Sequence, residues 1–484
     1  MNICILGQGN AGLMSAIILK KYRPGVNIYC LGSTEKGIVG VGESSTEHFD
    51  MLRRLMGVTH KEIVQQTYAS LKYGVWFEKW KNDEDYIHAL VQNGTTELDE
   101  IFGMYGYMWK DMGAMSTIPS NYTAGYVQDD DNLPNQFHFD TFKLNEFLRN
   151  QCDKLGIPLV EADIVDVNFD EFGNVDCLVS SDSIGYDADL FVDASGFQRF
   201  IISKMDSKFK SKQSDLFVDS AFAFQCPHEG DNYRCFTTAK KMKAGWMWRI
   251  PTYTRMGNGY AYNSKYTTYE EAVQEVTDVL GFEPKVGKRF EFEAGYYEKT
   301  WINNVVAIGL SSHFFEPLEA TAIGVNILQA RLLTEFVGST SDISRRAYND
   351  KIQTMFKQAF MFIRLHYVNC DDDTEFWKMV KESTIPEEVQ ILLDIAQERM
   401  LTSADVLANS DWNIFHHNSY NQVLYALGLL EPKIAGEHLK RMRKDVDFEV
   451  KVDSWKKSEQ KVIDTGYKHK DLIEKWINED STDN

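Results

Sequence analysis

The chain of 484 residues carries 71 acidic against 51 basic side chains, a formal charge of −20, with 43% hydrophobic and 13% aromatic content. Length and apolar content predict an ordered globular protein of more than one structural unit, and the negative field excludes nucleic acid and anionic membrane surfaces as partners. Seven scattered cysteines without a C-x-x-C pair predict reduced thiols, and no stretch has the length of a membrane span, so a cytoplasmic protein is expected.

Residues 2–6, NICIL, read as a short apolar strand, followed by GQGNAG with Gly7, Gly9 and Gly12 in G-x-G-x-x-G spacing. A helical run from Ala11 to Tyr22 then leads to VNIYCLG, a second strand. This is the order of a dinucleotide-binding unit. The first glycine permits the turn, the second lets backbone approach a pyrophosphate, and the third lets helix pack on strand. The N–H groups that open the helix, at Asn10 and Ala11, are suited to phosphate. Such units place an acidic residue at the end of the second strand for the ribose hydroxyls. Here that position is Gly32, which leaves Ser33 or Glu35 to substitute.

Farther along, GIVGVGESS forms a second glycine-rich turn that includes Gly40, Val41, Gly42 and Glu43. In SLKYGVWFEKW, strand alternation puts Leu71, Tyr73, Val75 and Phe77 on one face and Lys72, Gly74 and Trp76 on the other. DLFVDASGF is a buried strand ending in a turn at Ala194 and Gly196. AGWMWRIP places Trp246 and Trp248 on one face of a strand and Met247 on the other, and Pro251 should end it. Two indoles side by side serve an aromatic core as readily as a site. NVVAIGLSSHFFEPLEATAIGVNILQA is again strand, glycine turn at Gly309 and Leu310, then helix. Sequence-distant strand–glycine segments of this kind recur in FAD-binding folds, and no second G-x-G-x-x-G unit signals a separate nicotinamide domain.

From about residue 345 the pattern becomes helical. Ile352, Phe356, Phe360, Ile363 and Tyr367 recur at three- and four-residue spacing, and further helices are predicted through EEVQILLDIAQERM, NQVLYALGLL and 469–478. The expected division is a cofactor module over 1–345 and a helical subdomain over 346–484. The fold class expected is α/β: a Rossmann-type, glutathione-reductase-like FAD-binding fold with an inserted β-sheet and a C-terminal helical part.

Taken in order, GQGNAG, VGVGES, SLKYGVWFEKW, FHFDTFKLNEFLR, DLFVDASGF, GWMWRIP, IGLSSHFFEPLEATAI and FIRLHYVNCDDDTEFW resemble the flavin-dependent halogenases, the tryptophan-halogenase-like branch of the FAD-dependent monooxygenase fold. The resemblance runs from residue 1 to about 400, and W-x-W-x-I-P is its most specific element. It implies that Trp246, Trp248, Ile250 and Pro251 wall the flavin from an organic substrate while a halide still passes. It implies FAD, supplied reduced by a separate flavin reductase, with chloride, bromide or iodide as co-substrate. Hypohalous acid would reach Lys72, which hydrogen-bonds it as an ammonium or forms a haloamine as an amine. Glu319 would stabilise the cationic arene and accept its proton, or polarise the lysine-bound oxidant. Backbone N–H groups of Thr321 and Ala322 would hold halide.

The resemblance also has departures. Ala320 stands where the family has serine, and His313 where glycine is common, as a functional acid or as a loop histidine satisfied by backbone. Trp412, Phe415 and Trp455 are candidates for the substrate pocket or for plain core. His416 and His417 lack partners for a metal site, and no metal is assigned. The substrate expected is an electron-rich aromatic, indole or phenol type, and oligomeric state stays open, a homo-oligomer included. An aromatic hydroxylase on the same fold and a non-catalytic flavin-binding protein are the alternatives.

Overall fold

The computed structural model describes residues 1–33, 37, 43–89, 120–130, 136–406, 412–442 and 447–479. The first strand, β1 (Asn2–Leu6), leads into helix α1 (Asn10–Tyr22) and strand β2 (Asn27–Gly32), as the sequence predicts to within a residue. They belong to a six-stranded sheet ordered Trp301–Ile302, Val305–Ala307, Leu190–Asp193, β1, β2, Leu159–Glu161, parallel except at the Trp301 edge.

Strand alternation decides what covers each face. Ile3 and Ile5 turn into the main core, against α1 and the helix Thr321–Phe336, whereas Cys4 and Leu6 turn the other way. There they meet Ile164, Val167, Val175 and Leu178 of a small antiparallel sheet. A parallel sheet covered on both faces needs apolar residues at consecutive positions, which is why NICIL shows no polar alternation.

The inserted sheet has seven strands, in the order Val286–Glu291, Ser220–Cys226, Met256–Tyr262, Gly245–Pro251, Thr237–Met242, Gly74–Lys81, Glu84–Ala89. Trp246 and Trp248 face the main core, and Met247 faces a separate cluster with Tyr260, Phe222 and Ala272. The alternation read from AGWMWRIP is therefore the one observed. The stretch around Lys72 is split, however: Ser70–Lys72 pairs with Gln136–Phe139 in a three-stranded sheet, and a new strand starts at Gly74 in the large one. Tyr73 between them gives its N–H to the Cys235 carbonyl at 2.7 Å.

The helical part opens with a 24-residue helix, Asp342–Leu365, capped by the Ser341 hydroxyl on the Ser344 N–H. One cluster of buried apolar side chains extends from Ile3 to Trp476, and His469 accepts the Leu71 N–H at 3.0 Å, so the last helix (His469–Asn478) buttresses the strand that carries Lys72. All seven cysteines are free. Among the described residues no helix is long and apolar enough to cross a membrane.

Candidate active site

A cavity of about 450 Å³ runs from the N-terminal glycine turn to Glu319. At one end Gly7 has φ +127°, and a Cβ there would fall 2.2 Å from the Ala194 carbonyl oxygen. A Cβ on Gly12 would fall 2.0 Å from the Gly7 carbonyl oxygen, so this third glycine seats α1 against the turn. A Cβ on Gly9, by contrast, meets nothing within 4 Å. Its missing side chain leaves open space beside the helix N-terminus, which is what a pyrophosphate requires. The residues present fit a flavin dinucleotide.

Gly7, Gly9, Asn10, Ala11 and Ser33 line the cavity, and so do Ala194, Gly196, Gly309 and Leu310 from the two distant glycine segments. Gly12 lies beneath them. Gly40, Val41 and Gly42, with Glu35, fall outside the described residues, and the Glu43 backbone pairs with Phe139. The missing acid at the end of β2 has a physical reason. A Cβ at Gly32 would meet Gln8 Cγ at 2.8 Å, so Gln8 fills the space a carboxylate would need. Gln8 Nε2 donates to the Cys30 and Val160 carbonyls at 3.0 and 2.8 Å, and its Oε1 accepts two bonds from the Arg149 guanidinium at 2.8 Å each.

The tryptophan strand forms one wall. Trp246, Trp248 and Ile250 line the cavity, and the two indole centroids lie 6.0 Å apart. Trp248 has room because Gly259 lies opposite it; a Cβ there would fall 2.0 Å from Trp248 Cζ2. Pro251 is a strand terminus whose carbonyl accepts the Ser70 hydroxyl.

Glu319 lies at the other end, buried in a tight turn where it and Ala320 are both left-handed, at φ +64° and +55°. Non-glycine residues take this conformation at a cost of about 1–2 kcal/mol each, and here it aims the carboxylate inward. His88 Nδ1 lies 2.8 Å from Glu319 Oε2, and His366 Nε2 lies 3.1 Å from Oε1. His366 Nδ1 faces the Phe362 carbonyl at 2.8 Å, so both its ring nitrogens are held by oxygen atoms. Burial pushes the Glu319 carboxyl up, but the two imidazoles outweigh it and hold the group at about 2.

Lys72 is 1% exposed, which removes a solvent-facing role, and its Nζ donates to the Ser45 carbonyl at 2.9 Å. Burial lowers its ammonium to about 8, opposed by the negative charges of Glu319 and Glu47. Lys72 does not itself line the cavity that Trp246, Trp248 and Glu319 bound. Thr321 and Ala322 line it at the first turn of their helix, and Ala320 at the N-cap offers no side chain to those N–H groups.

His313 also lines the cavity, with Nδ1 2.9 Å from the Ser312 hydroxyl. Burial lowers it to about 3, so at neutral pH it is an imidazole and not an acid. Phe415 is core: it stacks on Phe362 at 3.9 Å, beside His88. Trp412 is half-buried at 5.7 Å from the Arg331 guanidinium, and the Trp455 side chain lies outside the described residues. Sequence reading did not single out His88, His366 or Glu316, and it named Tyr367 only as an apolar position of a helix. The last three sit inside quoted motifs, EPLE and LHY, while His88 shares a strand face with Tyr86 and carries no motif.

A glycine-cradled nucleotide cavity crossed by three strand–turn segments and closed by an aromatic strand defines the flavin-dependent monooxygenase type of fold. The tryptophan halogenase family model matches residues 2–443. Tryptophan 7-halogenase RebH of Lentzea aerocolonigenes is 30% identical over 92% of this chain and 93% of that protein. Tryptophan 6-halogenase SttH of Streptomyces toxytricini is 28% identical over 80% and 82%. Among solved structures, Xcc4156, a flavin-dependent halogenase from Xanthomonas campestris, superposes with a TM-score of 0.86 at 26% identity, covering 98% of both chains. The tryptophan halogenase of Shewanella frigidimarina shares the fold at TM-score 0.88 and 21% identity, over 99% and 97%. The chain belongs to the tryptophan halogenase family and is a flavin-dependent halogenase.

Proposed function

We propose that the chain halogenates an electron-rich aromatic of indole or phenol type, with Lys72 carrying the oxidised halogen and Glu319 acting as base. The observation that carries the reading is the placement of two buried ionisable groups. Glu319 bounds the cavity whose far end is the glycine turn, and its charge acts on Lys72, which is buried off that cavity. An oxidant small enough to pass the wall travels from the flavin side to the lysine, where it meets the aromatic ring; the ring does not pass the wall to the flavin.

FAD would be held by the turn at Gly7–Ala11 and by Ala194, Gly196, Gly309 and Leu310. When bound and reduced it supplies the two electrons that let oxygen oxidise a halide. A separate flavin reductase supplies it reduced. The N–H groups of Thr321 and Ala322 present a positive helix end to the halide. Trp246 and Trp248 exclude the organic substrate. The Lys72 ammonium, oriented by the Ser45 carbonyl, donates a hydrogen bond to hypohalous acid and polarises its halogen. Glu319, ionised and held at both oxygens, stabilises positive charge on the attacked ring and then takes its proton.

Mass spectrometry of products tests this. The protein is incubated with FAD, a flavin reductase, NADH and a mixture of indoles and phenols, with chloride, bromide and iodide in separate reactions. The expected result is a mass gain matching the added halogen, lost in Lys72→Ala while oxygen consumption continues. A gain of oxygen alone would make the protein a hydroxylase, and full product yield from Lys72→Ala would remove the role given to that lysine.

A further inference from the structure

The turn that carries Glu319 holds a second buried carboxylate, Glu316, which also lines the cavity and is 2% exposed. Its Oε2 accepts the Tyr367 hydroxyl at 2.6 Å and the Trp246 indole N–H at 3.1 Å, and its Oε1 has no partner among the described residues. Tyr367 is itself buried among aromatic rings. Its ring packs edge-on to Phe217 at 5.4 Å and lies 6.0 Å from both Trp80 and Trp377.

The two wall indoles are therefore held by different means. Trp246 is tied through its N–H. Trp248 Nε1 has no partner among the described residues, and the ring is held only by the shape around Gly259. A buried indole N–H needs an acceptor, and a backbone carbonyl supplies one at no electrostatic cost. A carboxylate in the same place costs free energy, because burial penalises its charge. That penalty raises the Glu316 carboxyl to about 7, against the Tyr367 and Trp246 bonds and the positive charge of Arg364. The two residues that follow the long helix grip the two carboxyl groups: His366 meets Glu319 and Tyr367 meets Glu316. Base and wall are thus fixed to one support.

We propose that Glu316 is the positioning residue of the tryptophan wall, holding the Trp246 ring across the cavity through its indole N–H while Tyr367 keeps the carboxyl group in place. The inference rests on reading Trp246 and Trp248 as that wall.

The test compares Glu316→Leu, which removes the acceptor, with Glu316→Gln, which keeps an oxygen, in the FAD-loaded protein supplied by a reductase. Two quantities are read: how consumed oxygen divides among halogenated aromatic, oxygenated aromatic and hydrogen peroxide, and the tryptophan emission that disappears in a Trp246→Phe background. Leaving the buried Trp246 N–H and Tyr367 hydroxyl without their acceptor costs enough that Glu316→Leu is expected to lower the halogenated share by about tenfold and to shift the Trp246 emission. Glu316→Gln should restore both, with FAD affinity unchanged in either variant. Parent-like partition and emission in a folded, FAD-binding Glu316→Leu would overturn the proposal, as would Glu316→Gln behaving like Glu316→Leu. If Glu316→Leu does not fold, Tyr367→Phe removes one bond, and an unshifted Trp246 emission there has the same force. Should the parent make no halogenated product, the functional reading fails, and the emission comparison still decides the clamp.

Discussion

His88 Nδ1 lies 2.8 Å from Glu319 Oε2, and His366 Nε2 holds the other oxygen at 3.1 Å, so neither carboxylate oxygen is free to turn. A carboxylate fixed at both ends is preorganised: it stabilises charge on a reacting ring without first reorienting. Because the carboxyl is held at about 2, it stays ionised throughout any pH at which the protein works. Glu319→Gln is expected to lower the halogenation rate by about a hundredfold or more while FAD still binds. Measured across pH 4–8, the parent should show no acid limb from this group. An apparent pKa between 4 and 6 that vanishes in Glu319→Gln would contradict the assignment.

Lys72 gives a different prediction, because its burial works against the fold. Its ammonium sits at about 8 against an ordinary 10.5, so between those values the unfolded chain binds a proton that the folded chain does not. The penalty is present in full below pH 8 and fades as pH rises toward 10.5. Each pKa unit is worth about 1.4 kcal/mol, and the Ser45 carbonyl left without its donor costs roughly 1–3 kcal/mol. Lys72→Met should therefore abolish halogenation yet melt at or above the parent's temperature at pH 7, with the difference narrowing at pH 10. A variant that melts well below the parent at pH 7 would mean that the lysine is held for structure.

The glycine turn separates folding from cofactor binding. Gly12→Ala pushes a methyl to 2.0 Å from the Gly7 carbonyl oxygen and should lower the melting temperature of the FAD-free protein. Gly9→Ala meets no protein atom within 4 Å, so the FAD-free protein should melt as the parent does. Its methyl instead enters the open space beside the helix N-terminus that is proposed to take the pyrophosphate, so FAD affinity should fall by about tenfold or more, a cost near 1.4 kcal/mol. Flavin titration followed by fluorescence reads the second effect and calorimetry the first. Equal FAD affinity in Gly9→Ala and the parent would mean that the cofactor does not approach this backbone.

How far the sequence carried depended on whether a feature was local. The G-x-G-x-x-G unit was legible because its three glycines act within six residues, and the Trp246–Trp248 face because strand alternation is a period-two rule. The strand around Lys72 was not, since its break at Tyr73 is set by Cys235, far along the chain. The partners of Glu319 were hidden for the same reason. His88 and His366 come from a strand and a helix end that meet only after the large sheet and the long helix have packed. The absence of an acid at Gly32 became intelligible only when Gln8 was seen to occupy its space.

Gly259 offers a way to disturb the wall without altering either tryptophan. It pairs with Trp248 across the sheet, and a Cβ on it would fall 2.0 Å from Trp248 Cζ2. Overpacking of this kind forces a ring from its rotamer and costs about 1–3 kcal/mol. Trp248 has no hydrogen bond among the described residues to oppose the movement, whereas Trp246 is tied to Glu316. Gly259→Ala should therefore displace Trp248 rather than Trp246, and the Phe222 carbonyl oxygen, 2.6 Å from the added methyl, must also give way in the neighbouring strand. The expected consequences are retained FAD binding, a lower halogenated yield for each oxygen consumed, and an oxygenated aromatic as a new product. Trp248→Ala should move the products the same way and further, because it removes the ring rather than shifting it. If both variants give the parent's product distribution, the paired indoles are core, and the separation of substrate from flavin must lie elsewhere in the cavity.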